Sequence, residues 1–220
     1  MNTSADDGSA GQAGYRRSAG SPRGEARRRE LLDRVTDDLA VNGLVDFSLR
    51  RAARAAGTTH KVLLYHFAGA DDLLRQAVLK LRERRTVNAM AAATGGPADR
   101  TLADRVHAMW PLLSGDEPHL RVLDEAIGLA MYAPERFAWL GREASRLYLP
   151  SLVSLCPAGW SDQRKLEVAE MILGTLRGFL VEWRISRDAA GIAAGFEALT
   201  RALEREEADG ERPPVAAPTS

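Results

Sequence analysis

Cysteine is almost missing from this 220-residue chain: Cys156 stands alone. That excludes an internal disulfide and any all-cysteine metal site, and it fits a reducing compartment. Lysine is nearly as scarce. Only Lys61, Lys80 and Lys165 occur among 30 basic residues, so the cation is almost always a guanidinium. No apolar run approaches the roughly 18 residues of a membrane span. The polar, acidic N-terminus has no signal-peptide core. No stretch longer than about four residues alternates apolar and polar, so strands are not expected. A glycine-rich phosphate loop, a spaced Cys/His metal set and a Gly-x-Ser-x-Gly elbow are all lacking. The expectation is a cytoplasmic protein with no membrane segment, metal, cofactor or catalytic residues.

What is present is enough apolar material for a core, 45% of residues, and a charge balance that cancels only in total. From Arg16 to Arg85 there are 16 basic and 9 acidic residues; residues 86 to 220 hold 14 and 19. A basic block beside an acidic remainder is the footprint of a module that faces a polyanion. Chance asymmetry on a solvated surface is the alternative.

The apolar spacing predicts helices throughout. Residues 1–22, rich in Gly, Ser, Ala and Asp, are expected to form a disordered arm. A helix follows Pro22 and ends at Asn42-Gly43. Ser48 caps a short helix from Leu49 to Ala56, broken at Gly57, and Thr58 or Thr59 caps a third through His66. A long helix runs from Asp71-Asp72 to about Ala93, with Arg82, Arg84 and Arg85 on the favourable side of its dipole. Five more are expected over about Asp99–Leu113, Pro118–Tyr132, Pro134–Leu155, Ser161–Ser186 and Ala189–Arg205. The fold class is therefore all-α with about nine helices. The expected divisions are a head over 23–70, a body over 71–205 and a disordered tail from 206 to 220.

One constellation carries chemistry. Ala52, Ala53 and Ala56 are small, Gly57 suits a left-handed turn, and Thr58, Thr59, His60 and Lys61 open the next helix with polar side chains that can reach base edges. This is helix-turn-helix logic, with phosphates beside Arg50, Arg51 and Arg54. An ordinary αα-hairpin with solvated arginines has the same spacing.

The run from Arg28 to about Val78 resembles the DNA-binding region of TetR-type (tetracycline-repressor-like) regulators. The matching pieces are Asn42-Gly43, Phe47-Ser48, Ala52-Ala53, Ala56-Gly57, Thr59, Leu63 and Tyr65-His66-Phe67 before Asp72-Leu73. The resemblance implies that Ser48 and Thr59 cap helices and touch phosphates. It implies that His60, Lys61 and Val62 face bases, and that Tyr65 and His66 lie on the sugar-phosphate backbone. Arg28 joins this set as a neighbouring cation. Three departures stand out: Leu64 replaces a usual phosphate-binding Tyr, Ala70 a usual Lys, and Thr58 an apolar turn residue. The first two delete backbone contacts, each removing about one from the salt slope. Arg16, Arg17, Arg23 and Arg27 to Arg29 could compensate, with the arm in a minor groove. A plain flexible tail is the competing reading.

In the body, the helix from Ser161 is apolar on much of its circumference, so it must be buried on two sides. Leu173, Leu176, Leu180 and Trp183 lie on its rows, and Gly174 and Gly178 permit close helix approach. The last helix adds Phe196 and Leu199. The resemblance implies that these two helices form a four-helix interface in a homodimer, presenting two heads to a palindromic operator in double-stranded DNA. His107, Trp110, Met131, Tyr132, Phe137 and Tyr148 suit an apolar pocket, with Arg177 and His107 as polar handles and Pro111 and Pro150 as irregularities that open it. The resemblance implies a small, largely apolar effector there and a repressor released by it. Two other classes stay open: a helical carrier of apolar molecules or lipids with no DNA role, and a small enzyme using Cys156 or His107.

Overall fold

Capping chemistry sets where the helices begin. The computed structural model describes residues 21 to 210 apart from Ala98 and Asp116. Most of the expected arm and the last ten residues of the expected tail lie outside that range. The described residues form nine helices and no strand. In α1 (Pro22–Asn42) the Ser21 hydroxyl accepts from the Gly24 N–H at 3.1 Å, and proline occupies the first turn. Gly43 ends the helix at φ 74°, its N–H bonding to the Leu39 carbonyl. Helix α2 (Leu49–Ala55) is capped by Ser48 and α3 (His60–His66) by Thr59.

The turn between α2 and α3 is a Schellman motif. The Thr58 N–H reaches the Ala53 carbonyl at 2.9 Å and the Gly57 N–H reaches Arg54 at 3.1 Å, with Gly57 at φ +61°. Two orphan carbonyls are thereby satisfied by a conformation that costs glycine little.

Helix α4 (Ala70–Thr94) is followed by α5 (Leu102–Ser114), α6 (Glu117–Tyr132), α7 (Pro134–Leu155), α8 (Asp162–Ser186) and α9 (Ala189–Gly210). Thr101 and Asp104 form a reciprocal capping box on α5. Helix α9 runs on to Gly210 rather than ending near Arg205, and Arg164 of α8 binds its Glu206 at 3.0 Å. Pro111 and Pro150 lie inside α5 and α7, which continue through them.

The chain divides into two units, through Leu81 and from Arg82. The first therefore extends beyond the expected boundary at residue 70, because the opening turns of α4 belong to it. Its core joins Leu31, Val35 and Leu39 of α1 to Ala52, Leu63, Phe67 and Leu73, all buried. The second unit pairs α6 with α7, α7 with α8, and α9 with both α5 and α8. Its core is built from Leu102, Val106, Leu155, Ile172, Phe196 and Leu203, among others. No described helix is long and apolar enough to cross a membrane.

Candidate nucleic-acid interface and internal cavity

The first unit holds its first three helices together with arginine. Arg51 turns inward: its Nε pairs with Asp38 at 2.7 Å, and its terminal nitrogens donate to the carbonyls of Gly43 at 2.8 Å and Val45 at 3.1 Å. Its guanidinium closes the loop between α1 and α2. This corrects the expectation that it faces phosphate. Arg28 is likewise a brace, donating to the His66 carbonyl at 3.2 Å and to Gln76 while lying over the Phe67 ring at 4.9 Å. With Glu25, Arg29, Tyr65 and His66 it still lines a shallow polar groove.

Arg50 and Arg54 behave differently. Both are exposed, and neither side chain bonds to a described residue. His60 and Lys61 are exposed on the first turn of α3, while Val62 is half-buried and gives its N–H to the Thr59 hydroxyl at 3.3 Å. Ser48 and Thr59 are exposed caps; Thr58 is half-buried in the turn. Leu64, 49% exposed, places an apolar side chain on this helix. Leu63 points the other way and is fully buried. Helix α3 therefore shows one apolar face to its own core and one short face of His, Lys and Leu to solvent. Tyr65 and His66 are half-buried, their rings in edge contact at 4.7 Å. Burial, then the charges of Arg28 and Arg27, lower the His66 pKa.

The second unit encloses a cavity of about 310 Å³. Of the residues expected to line a pocket, Met131, Tyr148 and Arg177 do so. The others do not. His107 is exposed and stands edge-on to Phe196 at 5.3 Å, while the half-buried Trp110 packs on Phe196 and Phe179 against the core. Tyr132 is 90% exposed at the end of α6. Phe137 is half-buried beneath the Arg136 guanidinium. Neither Pro111 nor Pro150 touches the cavity.

Sequence reasoning missed the most unusual lining residues, Arg82 and Arg85, which are only 5% and 7% exposed. It took them as partners of the helix dipole. A signal was available: Val78, Arg82, Arg85, Ala89 and Ala93 fall on one face of α4, and the three apolar members are buried. Guanidiniums in an apolar row mark either a buried pair or a ligand site.

The residues expected at a subunit interface also sort into two sets. Leu173, Leu176, Phe196 and Leu199 are buried inside their own unit, and Leu173, Leu176 and Leu180 line the cavity. This corrects their assignment, because α8 spends that side on its own core. Trp183 is half-buried under Arg187. Gly174 and Gly178 lie on the opposite, open side, where an added Cβ meets nothing within 4 Å. Val181 and Ile185 are also exposed.

Cys156 is buried, and desolvation raises its thiol pKa, so it is a poor nucleophile. Among the described residues no cluster of His, Cys, Asp and Glu is suited to hold a metal ion.

No family model and no curated protein sequence matches the chain. Solved structures do match in fold. A TetR-family transcriptional regulator from Cytophaga hutchinsonii superposes with a TM-score of 0.64 at 16% identity, covering 84% of this chain and 96% of that one. A candidate transcriptional regulator from Streptomyces coelicolor A3(2) gives 0.61 at 24% identity, covering 80% and 98%. The multidrug binding protein EbrR, complexed with proflavin, gives 0.60 at 20% identity, covering 80% and 98%. The chain thus has the fold of TetR-family regulators.

Proposed function

We propose that the protein is a sequence-specific DNA-binding transcriptional regulator of the TetR type: a dimeric repressor of a palindromic operator, released by a small effector held in the body cavity. The observation that carries this reading is the exposed surface around α3. A side-chain-capped helix offers His60 and Lys61 to solvent, and Arg50 and Arg54 stand exposed on the supporting helix with no bond to a described residue. Such a helix enters a major groove with its first turn against base edges, while arginines on the supporting helix meet phosphates. Arg51 and Arg28, by contrast, are committed to holding the head in shape.

The open faces of α8 and α9 are the surfaces assigned to the homodimer, with Gly174 and Gly178 allowing close approach and Val181 and Ile185 supplying apolar contact. An effector acts only through different affinities for the DNA-binding and released conformers. The ligand-holding EbrR, similar in fold, supports that role for the cavity.

The test is a gel-shift series on duplex DNA from upstream of the gene, at several salt concentrations. Binding should weaken steeply with salt, as expected for phosphate neutralisation. A folded, paired protein that ignores every duplex in dilute buffer would leave a carrier of apolar molecules as the better reading.

A further inference from the structure

The cavity is apolar over most of its wall, with Met90, Met109, Leu120, Ala144 and Leu152 among its lining. Its charged lining is unbalanced around two arginines. Arg82 and Arg177 share the wall with one carboxylate, Asp124, and that carboxylate is already paired with Arg184 at 2.8 Å. The bonds that hold these two arginines go to neutral groups. Arg82 donates to the Leu140 carbonyl at 2.6 Å, and its buried Nε has no partner. Arg177 has only long contacts to the Ser145 hydroxyl at 3.4 Å and lies 5.8 Å from the Tyr148 ring centre. A third bond runs from Arg85 to the Leu113 carbonyl.

Carbonyls satisfy N–H groups but do not neutralise charge, and a buried cation without a counter-ion is costly. Burial lowers the pKa of both Arg82 and Arg177, and Arg177 depresses Arg82 further. Tyr148, which lines the cavity, offsets part of this for both; Glu143 and Glu170 add to the offset for Arg82 and Arg177 in turn, but neither lines the cavity. Among the described lining residues the one carboxylate is Asp124. At the rim, Ile127 and Met131 both line the cavity and are exposed, so the mouth is apolar.

We propose that the cavity takes an amphipathic anion, an apolar tail carrying one carboxylate, whose head lies between Arg82 and Arg177 and whose tail runs towards Ile127 and Met131. This rests on the effector reading above and names the class of its ligand. A carboxylate would form charge-assisted bonds to two guanidiniums that now repel each other. A neutral head leaves that repulsion in place, and a cationic head adds to it. The volume lies at the small end of ligand sites, which run from about 300 Å³ upwards. It therefore suits a simple medium-chain acid better than a nucleotide-linked one.

Titration calorimetry on the full chain with decanoate, decanol and decylammonium tests this, since only the head group differs. Decanoate should bind about tenfold or more tightly than decanol, with decylammonium weakest. Arg177→Gln should erase that preference while decanol binding persists. Arg82→Gln should do the same, and if it fails to fold, the half-buried Arg177 variant decides. Decanol binding as well as decanoate, or a preference that survives Arg177→Gln, overturns the head-group assignment while the cavity remains a ligand site. Binding of none of the three overturns the assignment together with the effector reading.

Discussion

Arg50 and Arg51 are neighbours in sequence with opposite employment. Arg50 points into solvent; Arg51 binds Asp38 and two loop carbonyls. Arg50→Ala should leave the melting temperature within a degree or two, weaken all duplexes alike, and lower the salt slope by about one. Arg51→Ala leaves Asp38 without its largely buried partner and should cost about 2–4 kcal/mol in urea denaturation. DNA affinity per folded molecule should then be little changed. His66 makes a pH prediction. Its pKa is lowered in the fold, so below its ordinary value, about 6.5, the unfolded chain binds the proton more readily. Stability from this residue is thus lost as pH falls and is intact at neutral pH. Melting curves at pH 5.5 and 7.5 should show a smaller acid penalty in His66→Gln than in the native chain. Composition and spacing located these residues but could not orient them. Four consecutive helical positions point in four directions, and which one meets Asp38 depends on where α1 lies.

At the level of single helices, most of the fold was legible because its signals are local. Ser21, Ser48, Thr59, Thr101 and Ser161 all act as the side-chain caps of helix starts. Thr59→Ala should cost about 1 kcal/mol and, by fraying the first turn of α3, weaken DNA binding more than stability. Circular-dichroism melts beside gel shifts measure both. At Gly57, alanine would carry a left-handed strain of about 1–2 kcal/mol, and its Cβ would stand 3.2 Å from an Arg34 nitrogen. A melt of Gly57→Ala unchanged from the native chain would contradict this account of the turn. Helix α4 shows the limit of local reading. Arg82 and Arg85 stand mid-helix, too far from the last turn for the dipole to hold them, and packing places them in the apolar row.

For the molecule as a whole, the open side of α8 matters most. Since a Cβ added at Gly174 or Gly178 meets nothing within 4 Å among the described residues, Gly178→Arg should fold normally. It should also convert the proposed dimer to a monomer in sedimentation analysis and abolish tight binding to the proposed palindromic duplex. A variant that stays paired at micromolar concentration would move the interface elsewhere. The charge asymmetry belongs to this scale too. The basic stretch covers the head, yet Arg28 and Arg51 serve as internal braces and Arg82 and Arg85 are buried in the second unit, so the net excess overstates the charge available to the DNA contact we propose.

Helix number, helix order and the presence of a bihelical head were readable from the order of residues alone, because caps, turns and apolar periodicity act over a few positions. Which side of α8 faces its own core was not, since a helix apolar on two sides carries no mark of the difference. Packing gave Leu173, Leu176, Phe196 and Leu199 to the interior and left Gly174 and Gly178 outside. The cavity and its buried guanidiniums likewise arise only where helices from distant parts of the chain fail to fill the space between them.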